Sequence, residues 1–357
     1  MKILHVLDSF EMGGAQQVAL LLAEHQAANE SNEVVVIGAT GPLVSHFRRA
    51  GIRVHVSRKR VPDVSTMWGF IQLALKFRPD IVHSHQRREA LLAHLISRAT
   101  GSRTIEHAHT LLPGRTARRF SFLSDHVIAV SPEVEAMLLQ RFRIARSRVT
   151  LALNAPAVEQ RTPTSGSIDN WPGDGVRILG VGRLSEQKDP LRFVRVLSEM
   201  AKTLRVSGVW IGEGDMRSQA EELAAQLRAP VVFLGRRDDV AEWMTSADLL
   251  LMTSRWEGLP LVALEALTLG LTVVAPAIDG LSTLLSTDRG TPSGYLFQPD
   301  AEGDAIAQEV AAALHDPGRD ERRTRGRLLV EANYGRTRLC RIVDSAYSNL
   351  WETHDAK

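Results

Sequence analysis

The sequence predicts two α/β domains, each built around a parallel sheet, and three observations support this fold class. The chain has 357 residues, which is more than one hydrophobic core usually organises. Short apolar segments alternate with helical segments through most of its length, as is typical of parallel doubly wound sheets. A polar stretch at residues 159–175, rich in Pro, Gly, Ser and Thr, interrupts this alternation and predicts a linker.

The first half of the chain contains seven strand-like segments with helical segments between most of them. Strands are predicted at residues 3–7, 33–38, 53–56, 81–84, 103–107, 126–130 and 149–153, and helices at 16–29, 65–77, 88–99 and 132–141. After the linker, strands are predicted at 177–181, 206–211, 231–234, 249–253 and 272–275, and helices at 190–203, 215–227 and 261–269. A final amphipathic helix is predicted at 336–351.

These segments predict how the chain divides into domains. We expect an N-terminal domain at residues 1–165, a C-terminal domain at 176–335, and a terminal helical segment at 336–357. Ligands of open parallel sheets bind outside the carboxyl ends of the strands. Two such domains therefore predict a ligand cleft between the carboxyl ends of their sheets.

Composition excludes several classes of protein. An apolar content of 44% with 24% charged residues is ordinary for a globular protein. The single cysteine, Cys340, excludes an intramolecular disulfide framework and fits a reducing compartment. The N-terminus reads as a first strand rather than a secretion signal, and no apolar run approaches the roughly 20 residues that span a bilayer. We therefore expect a cytoplasmic protein.

The net charge of +2 conceals an asymmetry between the two halves of the chain. Residues 1–161 contain 21 Lys and Arg against 13 Asp and Glu, whereas the remaining residues contain 22 against 28. The basic half is compatible with transient docking at the anionic inner face of the cytoplasmic membrane, with a phosphate-bearing acceptor, or with plain solvated surface. Nucleic acid is not an expected partner, because no aromatic-rich basic strand or binding motif accompanies the charge.

Two glutamates eight positions apart are the first candidate site residues. Glu257 precedes a Gly-Leu-Pro turn at 258–260, and Glu265 falls in the apolar helical segment that follows. Free backbone N–H groups at the start of a helix bind anions, and carboxylates hydrogen-bond to sugar and ribose hydroxyls. The spacing indicates a pocket for a nucleotide-sugar. The alternative is structural, with Glu257 capping the helix and Glu265 on a solvated face.

Two cations follow the first predicted strand of the second domain. Arg183 and Lys188 lie five positions apart on a segment that ends in Asp189-Pro190, a typical helix start. The forked guanidinium can bind two phosphate oxygens and the ammonium supplies a point charge, so both can reach one diphosphate. In group transfer such charges would stabilise a leaving diphosphate. The alternative is an exposed loop with ordinary charges.

The first domain offers weaker signals. Gly13 and Gly14 follow the first predicted strand, where paired glycines let a backbone approach a ligand closely or simply make a turn. The third glycine of a dinucleotide fingerprint is missing, which counts against a nicotinamide or flavin enzyme. His109 follows the strand at 103–107 and is a candidate for hydrogen bonding at the cleft, or a structural histidine at a strand end. No zinc signature accompanies the histidines, so no metal is expected.

Taken together, these motifs resemble those of retaining glycosyltransferases of family 4, the glycosyl transferases group 1. The resemblance extends from Met1 to about Trp351 and is strongest in the last two of five motifs. They are GG at 13–14, PDIVHSH at 79–85, HAHT at 107–110, GVGRLSEQKD at 180–189 and SRWEGLPLVALEALTLG at 254–270. The resemblance implies the GT-B fold, in which two Rossmann-like parallel-sheet domains face each other across a cleft and the terminal helix crosses back onto the first domain.

The resemblance also implies a role for each site residue. Arg183 and Lys188 would bind the donor diphosphate, Glu265 the ribose hydroxyls, and Arg236 the base. His109 would lie beside the donor sugar and the acceptor, and Gly13 and Gly14 in a flexible loop near both. The sugar and phosphates would be held by Glu257 and by the turn and helix start formed by Gly258, Leu259, Pro260, Leu261 and Val262.

The function implied is transfer of a sugar, with retention of configuration, from a nucleotide-sugar to a hydroxyl of a glycan or lipid-linked acceptor. A UDP-linked donor and a role in cell-surface polysaccharide or lipopolysaccharide synthesis are expected, with no cofactor and no metal because the cations take the metal's place. Thr283 stands where many relatives have glutamate, which leaves the donor sugar open. The alternatives are a nucleotide-sugar epimerase of the same fold and a catalytically silent GT-B partner subunit.

Overall fold

The computed structural model describes residues 1–60, 63–112, 121–158, 168, 170–286 and 292–355. The chain forms two compact units, one of Met1–Ala157 with Arg336–Lys357 and the other of Val158–Gly335. The last helix thus belongs to the first unit, although it follows the second in the chain. Most of the predicted linker at 159–175 lies outside the described residues. None of the described helices is both long and apolar enough to cross a membrane.

The first unit alternates strands with helices. Its strands are β1 (Lys2–Ser9), β2 (Glu33–Ala39), β3 (Arg53–Ser57), β4 (Ile81–Ser84), β5 (Arg103–Ala108), β6 (His126–Ala129) and β7 (Val149–Leu151). Its helices are α1 (Gly14–Ala27), α2 (Val44–Arg49), α3 (Val64–Phe77), α4 (Arg87–Thr100), α5 (Pro132–Ala136) and the terminal α13 (Arg336–Asp355). A π-helical turn, Met137–Arg141, continues α5, and a 3₁₀ turn, Arg146–Arg148, precedes β7.

The seven strands form a parallel sheet in the order β3-β2-β1-β4-β5-β6-β7. The order reverses between β1 and β4, where His5 and His83 are register partners. One face of the sheet packs Leu4, Val6 and Val82 against α3 and α4 in a buried apolar cluster. Side chains alternate between faces along a strand, so residues next to these in sequence project from the opposite face. Such a switch point is where open α/β sheets bind ligands.

The second unit repeats the alternation of strands and helices. Its strands are β8 (Val176–Val181), β9 (Val206–Ile211), β10 (Val231–Gly235), β11 (Leu249–Leu251), β12 (Thr272–Pro276) and β13 (Tyr295–Phe297). Its helices are α6 (Pro190–Met200), α7 (Arg217–Leu227), α8 (Val240–Ser246), α9 (Leu261–Thr268), α10 (Asp279–Leu285), α11 (Gly303–His315) and α12 (Arg319–Asn333).

The six strands of this unit form a parallel sheet in the order β10-β9-β8-β11-β12-β13. Its switch point lies between β8 and β11, which carry the two loops with the candidate charges. Phe193 of α6 stacks edge-on against Trp210 of β9 at 5.1 Å between ring centroids, within an apolar core. The inner strands of both sheets are almost wholly buried, as expected when helices cover both faces of a parallel sheet, whereas the edge strand β3 is largely exposed.

The observed elements confirm the predicted alternation but add several that the sequence pattern did not show. Strand β13 and helices α2, α8, α10, α11 and α12 were not predicted. The predicted helix at 132–141 is a short α-helix followed by a π-helical turn. Asp189 and Pro190 do start a helix, because the Asp189 carboxylate accepts a hydrogen bond from Arg192 N at 3.2 Å.

Candidate active site

The loop after β8 carries the two predicted cations. Gly182 has a φ of +149°, a conformation that L side chains rarely adopt, and a Cβ there would lie 3.2 Å from three carbons of the Lys188 stem. Lys188 therefore folds back over Gly182. Arg183 is exposed, and its guanidinium makes no hydrogen bond or ion pair with any described residue. The loop thus presents two cations. The Arg183 guanidinium has no partner among the described residues, and the Lys188 ammonium has a fixed direction.

Lys188 is fixed by Glu257, which the sequence places 69 positions away. The Lys188 Nζ donates to Glu257 Oε1 at 2.5 Å, and the two side chains are only 17% and 6% exposed. An ion pair this shielded is much less screened by water and salt than a surface pair. An anionic ligand approaching the loop would share the ammonium with Glu257 rather than meet a free cation.

Backbone and side-chain contacts join the two loops around this pair. The Thr253 hydroxyl lies 3.0 Å from the carbonyl oxygens of both Lys188 and Asp189. The Arg255 Nε donates to Asp189 Oδ2 at 3.0 Å, and its backbone N–H donates to Gln187 O at 2.8 Å. Thr253 and Arg255 were not predicted from the sequence. Both are positioning residues, because they hold the segment that aims Lys188.

The turn after Glu257 leads directly into α9. Pro260 precedes the first helical residue, Leu261, and the N–H groups of a first helical turn have no intrahelical carbonyl partner. The start of α10 crosses this turn closely, because a Cβ on Gly280 would lie only 1.8 Å from the Gly258 carbonyl oxygen. Glu265 lies in the second turn of α9 and is partly exposed, so its carboxylate is not deeply buried in the apolar run.

Arg236 lies at the carboxyl end of β10 in the same sheet. It follows Gly235, which has a φ of +73°, and its side chain is exposed. The neighbouring Arg217 donates to Glu213 Oε1 at 2.5 Å and to the Phe233 carbonyl at 3.1 Å, which ties the end of β10 to the start of α7. The second unit therefore carries Arg183, Arg236 and the Lys188 pair on the carboxyl side of one sheet.

The paired glycines of the first unit lie at the start of α1. Gly13 is extended, with a φ of −166°, and its carbonyl accepts the N–H of Gln17 at 2.9 Å. A Cβ on Gly13 would meet only the flexible end of the Gln16 side chain. Gly14 is the first helical residue. The pair therefore sits at a helix N-terminus beyond the carboxyl end of β1, as the sequence predicts.

His109 follows β5 and is half-buried. Its Nε2 is shielded from solvent without a hydrogen-bond partner among the described residues, and it stacks on His107 at 4.4 Å. Burial lowers the pKa of His109 to about 3, so the imidazole is neutral at neutral pH. A neutral imidazole ring can donate one hydrogen bond and accept another. The sequence did not show that His83 and His85 stack against His107 and His109, or that His5 packs against His83 and His85 in turn.

Two parallel-sheet α/β units of this kind are the architecture of GT-B glycosyltransferases, and the comparisons with known proteins point to that class. A solved structure of Anabaena HepE in complex with UDP-glucose aligns over 98% of this chain and 100% of that chain, with a TM-score of 0.81 at 17% identity. At this identity the likeness shows a shared fold. The predicted fold class is confirmed.

The family models identify both units. Residues 12–155 match Glycosyltransferase Family 4, and residues 175–316 match Glycosyl transferases group 1. The chain therefore carries both domains of these enzymes and is a glycosyltransferase.

Curated relatives include enzymes with named acceptors. The chain is 22% identical over 331 residues to UDP-Gal:alpha-D-GlcNAc-diphosphoundecaprenol alpha-1,3-galactosyltransferase of Escherichia coli, covering 83% of this chain and 84% of the relative. It is 33% identical over 205 residues to a Campylobacter jejuni alpha-1,4-N-acetyl-D-galactosaminyltransferase that is named for a PP-undecaprenol-linked acceptor. That match covers 57% of this chain and 54% of the relative.

Proposed function

We propose that this glycosyltransferase moves a sugar from a UDP-linked donor to a hydroxyl of a glycan or lipid-linked acceptor, with retention of anomeric configuration. The observation that carries the proposal is the shielded Lys188–Glu257 pair beside the exposed Arg183 at the sheet's switch point. Two cations at this place suit a diphosphate, and a fixed carboxylate suits sugar hydroxyls.

The donor and acceptor classes draw support from the similar proteins. The Anabaena structure holds UDP-glucose, and the E. coli relative is named for UDP-Gal. Both curated relatives are named for sugars linked through diphosphate to undecaprenol. We therefore propose a polyprenyl-linked or related acceptor in cell-surface polysaccharide or lipopolysaccharide synthesis. Transient docking of the basic first half at the inner membrane face belongs to the same proposal.

The proposed mechanism is same-face substitution. The bond between the sugar's anomeric carbon and the diphosphate oxygen breaks, and a bond to the acceptor oxygen forms on the same face. The acceptor proton passes to an oxygen of the leaving diphosphate. Arg183 and Lys188 stabilise the negative charge that develops on that diphosphate, which in this proposal replaces a metal ion.

Glu257 is proposed as a binding group rather than a nucleophile. A two-step retaining route needs a carboxylate free to attack beneath the sugar. Glu257 Oε1 is instead held by the Lys188 ammonium at 2.5 Å, which lowers its nucleophilicity and fixes its direction. Glu257→Gln is expected to weaken transfer, and mass spectrometry of the stalled variant with donor should show no covalent sugar adduct.

The remaining site residues keep the roles that the family resemblance assigns. Glu265 is proposed to bind the ribose hydroxyls and Arg236 the base, while the segment 258–262 supports sugar and phosphates. His109, Gly13 and Gly14 are proposed to contact the donor sugar or the acceptor.

The test is substitution of each cation with a matched control. Arg183→Ala and Lys188→Ala should each reduce transfer by about 100-fold or more, because each removes a charge from the leaving group. Arg195→Ala removes an exposed arginine from α6 of the same unit and should leave transfer unchanged. Near-wild-type transfer by both Arg183→Ala and Lys188→Ala would refute the diphosphate clamp.

A panel of nucleotide-sugars identifies the donor and separates the alternatives. Ligand-observed NMR reports which nucleotide-sugar binds. A new sugar nucleotide formed from donor alone would indicate an epimerase. Failure of calorimetry to detect any nucleotide would indicate a silent subunit.

A further inference from the structure

Five histidines from three neighbouring strands form one stacked cluster inside the first unit. They are His5 of β1, His83 and His85 at the end of β4, and His107 and His109 at the end of β5. Ring centroids lie 4.3 Å apart for His83 and His85 and 5.9 Å apart for His85 and His109. Four of the five side chains are at most 1% exposed, and only His109 reaches the surface in part.

A hydrogen-bond chain sets the tautomer of His85. The Gln26 side-chain oxygen on α1 can only accept, so His5 Nε2 carries a proton and donates to it at 2.6 Å. His5 Nδ1 is therefore the acceptor in its 2.9 Å contact with His85 Nε2, which donates. The lone pair of His85 is left on Nδ1. A metal-binding histidine is typically oriented in this way, through a hydrogen bond from its other nitrogen.

His85, His107 and His109 each have a buried ring nitrogen without a hydrogen-bond partner among the described residues. His85 Nδ1, both ring nitrogens of His107 and Nε2 of His109 are shielded from solvent, and none has a hydrogen-bond partner among the described residues. Buried polar atoms in folded proteins normally have partners, so several orphaned nitrogens together indicate a ligand. His85, His107 and His109 each offer one ligand atom within 4.8 Å of the others.

We propose that His85, His107 and His109 bind one divalent transition-metal ion of the zinc class. Neutral imidazole nitrogens suit Zn²⁺ and its neighbours, and three histidines leave a fourth position for water. Zn–N bonds of about 2.0–2.1 Å require the nitrogens to be about 3.4 Å apart, so the rings would have to close in from separations of up to 4.8 Å when the ion binds.

The alternative triad of His5, His83 and His85 is less suitable. Both nitrogens of His5 are already hydrogen-bonded, so His5 has no ring nitrogen left for a metal ion, although His83 keeps a buried Nε2 without a partner among the described residues. We therefore assign His5 as a positioning residue for His85. The spacings of the histidines in the sequence match no zinc motif because the ligands come from two strands.

The test is metal binding by tag-free protein stripped with EDTA. Calorimetric titration with Zn²⁺ should show one ion per chain, Co²⁺ should give the visible absorption of a tetrahedral site, and Mg²⁺ should not bind. His85→Gln and His107→Gln should each weaken Zn²⁺ binding by at least about 100-fold, and His5→Gln by about 10–100-fold. His94→Gln, on α4 outside the cluster, should bind as the wild type does.

Two results would overturn the proposal. One is the absence of stoichiometric Zn²⁺ binding to the wild type. The other is wild-type affinity in folded His85→Gln and His107→Gln proteins. If circular dichroism shows that those variants do not fold, the Zn²⁺ affinity of His109→Gln is the deciding measurement. Position 109 is half-buried and tolerates the change. These measurements do not depend on sugar transfer. Failure of the metal proposal can therefore be told apart from failure of the proposed function.

Discussion

Replacement of Glu106 by glutamine should make the protein more stable in alkaline solution. Glu106 lies on β5, is 1% exposed, and its Oε2 has no hydrogen-bond partner among the described residues. Burial, together with the nearby Glu89 carboxyl, raises the pKa of Glu106 to about 8, and burial raises the pKa of Glu89 to about 7. Glutamine resembles the protonated acid in size and charge but does not ionise.

The sign and size of the effect follow from proton linkage. Above pH 4.5, the ordinary glutamate pKa, the unfolded chain loses its proton, whereas native Glu106 keeps it up to about pH 8. The native state then binds more protons, so the free energy of unfolding falls as pH rises through this window. At about 1.4 kcal/mol per pH unit, ionisation of Glu106 alone lowers the free energy of unfolding by roughly 3 kcal/mol between pH 6 and pH 9. Glu106→Gln abolishes that loss.

Urea unfolding followed by circular dichroism at pH 6 and pH 9 measures the effect. A difference of about 3 kcal/mol corresponds to a midpoint shift of about 1 M or more in urea. Other titrating groups, including the buried histidines, are common to both proteins and cancel in the comparison. Glu30→Gln, at an exposed position of the same unit, is the control. If the wild type and Glu106→Gln lost stability in parallel between pH 6 and pH 9, the assignment of the buried proton to Glu106 would be wrong.

Two further predictions concern glycines. Gly280→Ala should displace the turn at Gly258, because the new methyl group would lie 1.8 Å from the Gly258 carbonyl oxygen. We expect calorimetry to show weaker binding of the nucleotide-sugar. An unchanged affinity would contradict this prediction. Gly69→Ala should raise the free energy of unfolding by about 1 kcal/mol, because Gly69 is exposed in the middle of α3 with open space around it. A lower urea midpoint for the variant would show that the space around Gly69 is not open.

The local features of the site could be predicted because they depend on neighbours in the chain. The strand before Gly182, the helix after Asp189 and the helix start after Pro260 are short-range signals of apolar periodicity, capping and turn residues. The predicted pair at 13–14 likewise lies at the start of α1. Strand β13 escaped prediction because three residues, two of them half-buried and one buried, carry too little pattern to distinguish a strand from a loop.

The contacts that give these residues their chemistry depend on strand order, which residue spacing does not encode. Lys188 meets Glu257 only because β8 and β11 are neighbours, although two strands separate them in the chain. His5 reaches His83 for the same reason, since β1 pairs with β4. The proton on Glu106 likewise depends on what packs over β5.

The sequence by itself thus determined the fold class, the order of most of its strands and helices, and the loops that carry Arg183, Lys188 and Glu257, because apolar periodicity and turn chemistry are local. Only the tertiary structure decided that Lys188 is paired, that Glu106 is buried, and that five histidines share one cluster. Burial and long-range contacts set the charge state of these side chains and the geometry with which they can bind a ligand. Burial and such contacts arise only when non-consecutive strands of a parallel sheet come together.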